Sequence, residues 1–349
     1  MTDLFVVARP LGILTASFAL SMAAMPPLIR LLKQMGMGKT IRDAESAPIM
    51  SALHQGKAGT PTMGGIVIWG TVLVVILLLG GLCGIAGDTS VWCRLSFLSR
   101  GQTWLPLGLM ICAALVGMVD DYLNAKRIGA RGGGLRKRYR LLSYFGIAVL
   151  GAVWFYTKLD WDALHIPFFG TFNIGWWYIP FFIVTIVSTS FSVNETDGLD
   201  GLVGGTLLSS FGAFAIIAWS QGRTDLATLC VCIIGALLGF LWFNVNPADV
   251  FIGDTGAMSL GTVLAVVALM TNQPFLLIII GLPFVIESLS VFAQVFSKKV
   301  RGKKLLRSSP LHHHLEAIGW KEPRIVMRFW LISLVCASIG VVVAFIDTL

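Results

Sequence analysis

Charge is what this chain has least of. Asp, Glu, Lys and Arg make up 13% of its 349 residues, against 56% hydrophobic, whereas a soluble domain carries about 25% charged residues. That excludes a soluble globular domain, and it excludes intrinsic disorder, which needs high charge and low hydrophobicity. Six cysteines in a chain of this length are too few for a disulfide scaffold. No Cys/His spacing suits zinc, and no His-Glu-x-x-His motif is present. The period-2 alternation of a transmembrane barrel is missing as well. The net charge of +8 does not point to nucleic acid, because the basic residues lie in loops between apolar runs and form no soluble basic surface.

Long apolar runs are what remains. A helix crossing the hydrocarbon core needs about 20 predominantly apolar residues. Nine charge-free runs approach or reach that length: Leu11–Ile29, Gly64–Leu82, Thr103–Val119, Leu141–Thr157, Ile174–Val193, Gly201–Ser220, Leu226–Phe243, Thr255–Asn272 and Phe329–Ile346. Another, Pro274–Ser297, is interrupted only by Glu287, and its Pro283 is tolerable where neighbours re-satisfy the freed carbonyl. The expectation is an all-α polytopic membrane protein, one domain over residues 1–349 with ten spans. The first span reads as mature protein, since no small-residue cleavage site precedes it.

Basic residues orient the spans. Of the 26 Lys and Arg residues, 21 fall in three loops. Arg30, Lys33, Lys39, Arg42 and Lys57 follow the first span. Lys126, Arg127, Arg131, Arg136, Lys137, Arg138 and Arg140 follow the third. Lys298, Lys299, Arg301, Lys303, Lys304, Arg307, Lys321, Arg324 and Arg328 follow the ninth. All three loops follow odd-numbered spans, so they share one side, which the positive-inside rule makes cytoplasmic; both termini are then outside. Cys112, Cys230, Cys232 and Cys336 lie within spans as small apolar packers. Cys83 and Cys93 flank an outside loop, where they form either a disulfide or two free thiols.

The acidic residues sort to the basic side: Asp120 and Asp121 end the third span, Glu195, Asp197 and Asp200 follow the fifth, and Asp249 and Asp254 follow the seventh. Adjacent carboxylates repel unless a cation compensates, so Asp120-Asp121 is either a solvated helix end or a charged site. In Asn194-Glu195-Thr196-Asp197-Gly198-Leu199-Asp200-Gly201 the glycines allow close backbone approach to a ligand, and too few oxygens stand in series for a calcium loop. Asp254 either caps the eighth span or, with Asp120 and Asp121, offers a hard cation such as Mg²⁺ one or two carboxylates. His312, His313 and His314 cannot all face one zinc and suit phosphate binding or proton handling. Lys57-Ala58-Gly59-Thr60 lacks the order of a Walker A loop but places an amine beside glycines and hydroxyls, which suits a phosphate; a solvated basic loop is the other reading.

Together, Gly59-Thr60-Pro61-Thr62-Met63-Gly64-Gly65, Asp120-Asp121-Tyr122, Thr196-Asp197-Gly198-Leu199-Asp200-Gly201-Leu202, Leu241-Trp242-Phe243-Asn244, Phe251-Ile252-Gly253-Asp254 and Pro310-Leu311-His312-His313-His314 resemble the phospho-N-acetylmuramoyl-pentapeptide transferase (translocase I) family. That family lies within the polyprenyl-phosphate N-acetylhexosamine-1-phosphate transferase superfamily. The resemblance implies transfer of phospho-MurNAc-pentapeptide from UDP-MurNAc-pentapeptide to undecaprenyl phosphate, forming lipid I and UMP with Mg²⁺ in peptidoglycan biosynthesis. It implies a multi-pass protein of the bacterial cytoplasmic (inner) membrane with its active site facing the cytoplasm.

Carried over by position, Asp254 is the metal ligand, and Asp120, Asp121, Asp197, His312, His313 and His314 are catalytic. Lys57, Asn194, Gly198, Leu199, Asp200, Asn244 and Phe251 form the uridine and phosphate pocket, with Phe251 stacking on uracil. Asn124 stands where the family places Lys, with Lys126 as its replacement, Glu195 stands where the family has Leu, and the phosphate role of the following loop is open among Arg136, Arg138 and Arg140. The expected partners are the two substrates and the bilayer, with a homodimer as the alternative to a monomer. Rival readings are a sister transferase acting on UDP-GlcNAc and a cation-coupled transporter using Glu287, the only acid well inside a span.

Overall fold

The computed structural model describes residues 2–38, 57–87, 89–129 and 133–348. Lys39, Arg42, Asp88, Arg131 and Gly132 lie outside the described residues. The long helices are α1 (Thr2–Gln34), α2 (Gly65–Ala86), α4 (Trp104–Ala125), α5 (Lys137–Lys158), α6 (Tyr178–Thr196), α7 (Leu202–Ser220), α8 (Thr224–Asn244), α9 (Gly253–Met270), α11 (Leu282–Arg301) and α13 (Glu322–Ile346). Short helices α3 (Val91–Leu95), α10 (Leu276–Ile280) and α12 (Leu311–Ala317) lie between them. Among the described residues nine helices are long and apolar enough to cross a membrane.

The expected span Pro274–Ser297 is not one helix. It breaks into α10 and α11 at Gly281, whose N–H still closes a turn on the Leu277 carbonyl at 2.8 Å. Pro283 follows in the first turn of α11, where its missing N–H does not matter.

Helix α9 is the centre of the bundle, with 94% of its span buried inside the protein. By contrast, α2 turns Val74, Leu77 and Leu78 outward and α5 turns Leu142 and Leu150 outward, as lipid-facing helices do. Small residues set the closest crossing. A Cβ on Gly235 or Gly239 of α8 would collide with Ser17 or Ser21 of α1, and the Ser21 hydroxyl donates to the Ala236 carbonyl at 2.8 Å. Close backbone approach and interhelical hydrogen bonds are what hold helices together where lipid removes the hydrophobic drive.

Two features depart from a purely helical expectation. Strands β1 (Ala163–Ile166) and β2 (Gly170–Asn173) form an antiparallel hairpin between α5 and α6, pairing His165 with Thr171. At the same end of the bundle, Cys83 and Cys93 are joined in a disulfide, which resolves the two readings left open by the sequence. Cys230, Cys232 and Cys336 are buried as expected, whereas Cys112 is exposed.

Candidate active site

The carboxyl end of α4, the amino ends of α5 and α9, and the carboxyl end of α6 meet at the other end of the bundle. Asp120 and Asp121, adjacent in the chain, take different partners there. Asp121, 3% exposed, accepts the first N–H groups of α9, from Asp254 at 3.1 Å and Thr255 at 3.0 Å, and the Thr62 hydroxyl at 3.3 Å. A carboxylate on a neighbouring helix therefore caps α9, matching charge to the positive end of its dipole. Gly253 makes this possible: its φ of 73° turns the chain into α9, and a Cβ there would lie 2.8 Å from the Thr62 hydroxyl.

Asp120 faces Arg140. Its two oxygens accept the Arg140 Nη2 at 2.5 Å and the Leu135 N–H at 2.5 Å. The same Nη2 reaches Asp254 at 3.1 Å, while Arg140 Nη1 donates to the Asn194 side-chain oxygen at 3.0 Å. The Asn194 amide closes the ring by donating to Asp254 at 2.5 Å. Asp254 thus spends its side chain on Asn194 and Arg140, and the capping of α9 falls to Asp121. Of the three candidate arginines in the loop, Arg140 is the one that contacts Asp120, Asp254 and Asn194. Lys126 does not join: its amine bonds the Met35 carbonyl at 2.7 Å and ties α4 to the end of α1.

A second polar cluster is centred on Lys57. Its amine lies 2.7 Å from Asp200 and 2.5 Å from Glu322. The Asp200 N–H also donates to Glu322 at 2.6 Å, and the Asn246 amide donates to Asp200 at 3.0 Å. Phe251, the residue expected to stack on uracil, is 6% exposed, with the Lys57 amine 6.0 Å from its ring centroid. Its backbone is clasped by Pro61 and Gly64, each at 2.8 Å. Asn244 holds Gly201 N–H at 3.0 Å and the Val250 carbonyl at 2.8 Å, joining two loops. Leu199 is buried among Leu202, Ile325, Val326 and Phe329.

The three histidines go to three partners. His312 is buried, and its Nδ1 lies 3.0 Å from Glu287 of α11, which also accepts the His312 backbone N–H at 3.1 Å. His313 pairs with Glu316 at 2.8 Å, and His314 accepts the Arg307 N–H at 3.2 Å. The Nε2 of His312 is buried without a hydrogen-bond partner and lies against Gly198, where a Cβ would run into it. Asp197 ends α6 beside this contact, its N–H bonding the Asn194 carbonyl at 3.3 Å.

Among the described residues no three His, Cys, Asp or Glu side chains gather as a metal cage. The donor set nevertheless fits Mg²⁺, which takes one or two carboxylates and completes its shell with phosphate and water oxygens. Asp120 and Asp254 already converge on one cationic atom, Arg140 Nη2. Sequence reasoning passed over Glu322, whose only signal was an acid at the start of an apolar run. It also left Thr62 and Asn246 unassigned.

Residues 103–272 match the family model of glycosyl transferase family 4, and residues 57–68 match phospho-N-acetylmuramoyl-pentapeptide-transferase signature 1. A phospho-N-acetylmuramoyl-pentapeptide-transferase of Geobacillus sp. (strain WCH70) is 42% identical over 328 residues, 93% of this chain and 94% of that protein. Proteins of the same name from Geobacillus thermodenitrificans (strain NG80-2) and Bacillus subtilis (strain 168) are 41% and 40% identical, over 94% and 93% of this chain and 95% and 94% of theirs. The chain belongs to the phospho-N-acetylmuramoyl-pentapeptide-transferase family.

Proposed function

We propose that this protein transfers phospho-MurNAc-pentapeptide from UDP-MurNAc-pentapeptide to undecaprenyl phosphate, forming lipid I and UMP, at the cytoplasmic face of the bacterial inner membrane. The observation that carries the mechanism is Arg140 fixed between Asp120, Asp254 and Asn194. A diphosphate donor and a phosphate acceptor repel each other, so positioning and charge neutralisation carry most of the catalysis. Arg140 supplies a planar guanidinium suited to phosphate oxygens, and the Lys57 cluster adds an amine on the donor side. Mg²⁺ held by Asp254 would neutralise the diphosphate and stabilise the leaving UMP. Both Asp120 oxygens already accept hydrogen bonds, which suits a group that orients Arg140 better than a nucleophile. The lipid phosphate oxygen therefore attacks phosphorus directly as the bond to UMP breaks.

In this reading α10 and α11 together make the tenth crossing, which leaves both termini outside. The sister reaction on UDP-GlcNAc is not favoured, because residues 57–68 carry the muramoyl signature. The buried Glu287 is accounted for by His312 without an ion path.

The test is a Mg²⁺ titration of lipid I synthesis by folded protein in detergent. Asp254→Asn is expected to lose turnover and to shift the Mg²⁺ midpoint upward, since the amide lacks the charge a hard cation needs. Asp120→Asn is expected to lower kcat by roughly 10²-fold or more, because Arg140 loses the carboxylate that orients it as a charged donor, with the midpoint shifted less than in Asp254→Asn. An Asp254→Asn enzyme with wild-type activity and midpoint would remove Asp254 from the metal site.

A further inference from the structure

A second polar site lies at the far end of the bundle. Helix α8 runs from Asn244, beside the Asp200 loop, to Thr224; at 1.5 Å per residue its length is about 30 Å, the thickness of the hydrocarbon core. Around Thr224 a cavity of about 270 Å³ is lined by Phe5, Arg9, Arg94, Trp219, Thr224 and Thr228. Arg9 of α1 donates through one nitrogen, Nη2, to the Ser96 carbonyl at 2.8 Å and to Asp225 at 2.7 Å. Its Nε is buried and has no partner, although its side chain is only 14% exposed. A buried donor left without an acceptor is unfavourable, and Arg9 lines the cavity, so the site calls for an acceptor. Arg94 of α3 lines the same cavity, and among the described residues Asp225 offsets one of the two positive charges, leaving a net positive lining.

We propose that this cavity binds the phosphodiester headgroup of an anionic membrane lipid. Guanidinium forks match phosphate geometry. The rest of the lining supports a lipid over a free anion. Phe5 and Trp219 form apolar walls. Arg9 itself lies near the start of a membrane span, Val7–Gln34, at the depth of lipid headgroups. The site is a whole span away from Asp120 and Asp254 and independent of the transferase reading.

The experiment measures lipid retention by native mass spectrometry of the purified full chain, titrated with phosphatidylglycerol, phosphatidylcholine or inorganic phosphate. Phosphatidylglycerol is expected to bind at least about tenfold more tightly than phosphatidylcholine. Arg94→Gln, a change at an exposed side chain, is expected to weaken phosphatidylglycerol about tenfold, the scale of one charge-assisted hydrogen bond. Arg94→Lys keeps the charge but not the fork and is expected to fall between. Thermal unfolding in lipid-free detergent and transferase turnover stay at wild-type values in both variants. Equal binding of the two lipids, or wild-type phosphatidylglycerol affinity in Arg94→Gln, would overturn the proposal. Inorganic phosphate matching phosphatidylglycerol in affinity would overturn the lipid assignment.

Discussion

A guanidinium can join three oxygen acceptors in one plane, whereas an ammonium holds them as a point charge. Arg140 uses that property, reaching Asp120, Asp254 and Asn194 from two nitrogens. Arg140→Lys keeps the charge and loses the geometry, so kcat/KM for lipid I formation is expected to fall by roughly 10²- to 10³-fold, the range for losing one preorganised donor. The drop should exceed that of Arg138→Lys, because Arg138 instead bonds the neighbouring Tyr139 hydroxyl at 2.9 Å. Equal kinetics in the two variants would place phosphate binding elsewhere. Residues of this kind are only half legible in a sequence. Asp120-Asp121 and Asp254 announce themselves because acids are scarce in an apolar chain, but their division of labour does not. Which carboxylate caps α9 and which holds Arg140 depends on where α4 and α9 cross. Glu322 was silent for the same reason: its partners Lys57 and Asp200 are brought to it only by folding.

At the level of elements, the apolar runs foretold where nine long helices lie, since length and hydropathy set a membrane helix almost alone, but the helices run past the charge-free stretches, by nine residues at the start of α1, seven at the start of α13 and six at the end of α4. The hairpin β1–β2 was missed because four-residue strands leave too short a pattern to separate from a loop. It is fastened to the end of α13. Asp347, the residue after that helix, accepts the Phe168 N–H at 2.5 Å and pairs with His165, and the His165 N–H bonds the Asn272 side chain at 3.1 Å. Burial alone would raise the Asp347 carboxyl, but the Phe168 N–H and His165 outweigh it, so the group titrates below the ordinary carboxylate range. A carboxyl lowered in the folded state contributes stability that is complete above its unfolded value, about 3.9, and is lost as pH falls through its folded value. Hydrogen exchange at the Phe168 amide, corrected for intrinsic rate, is therefore expected to stay slow down to about pH 4 and to quicken below it. Asp347→Asn should show faster exchange with no acid step. An acid step that survives in Asp347→Asn would assign the clamp to another group.

The whole molecule divides its polar chemistry between two ends. Lys57, Asp120, Arg140, Asn194, Asp200, Asn244, Asp254, His312 and Glu322 all lie at helix ends or in the loops beside them on one face, as the alternation of spans and the crowding of basic residues implied. The opposite end carries the Cys83–Cys93 disulfide, and disulfides persist in oxidising compartments. This is a second argument for placing that end outside, independent of the positive-inside rule. The orientation is checked by single-cysteine labelling in intact cells, with exposed Cys112 replaced by Ser. A cysteine at Arg136, next to α5 on the basic face, is expected to react with a membrane-impermeant maleimide only after permeabilisation. A cysteine at Asp160, between α5 and the hairpin, is expected to react from outside. The reverse pattern would place Asp120, Arg140 and Asp254 away from a nucleotide made in the cytoplasm, and the proposed reaction would then have no supply of its donor.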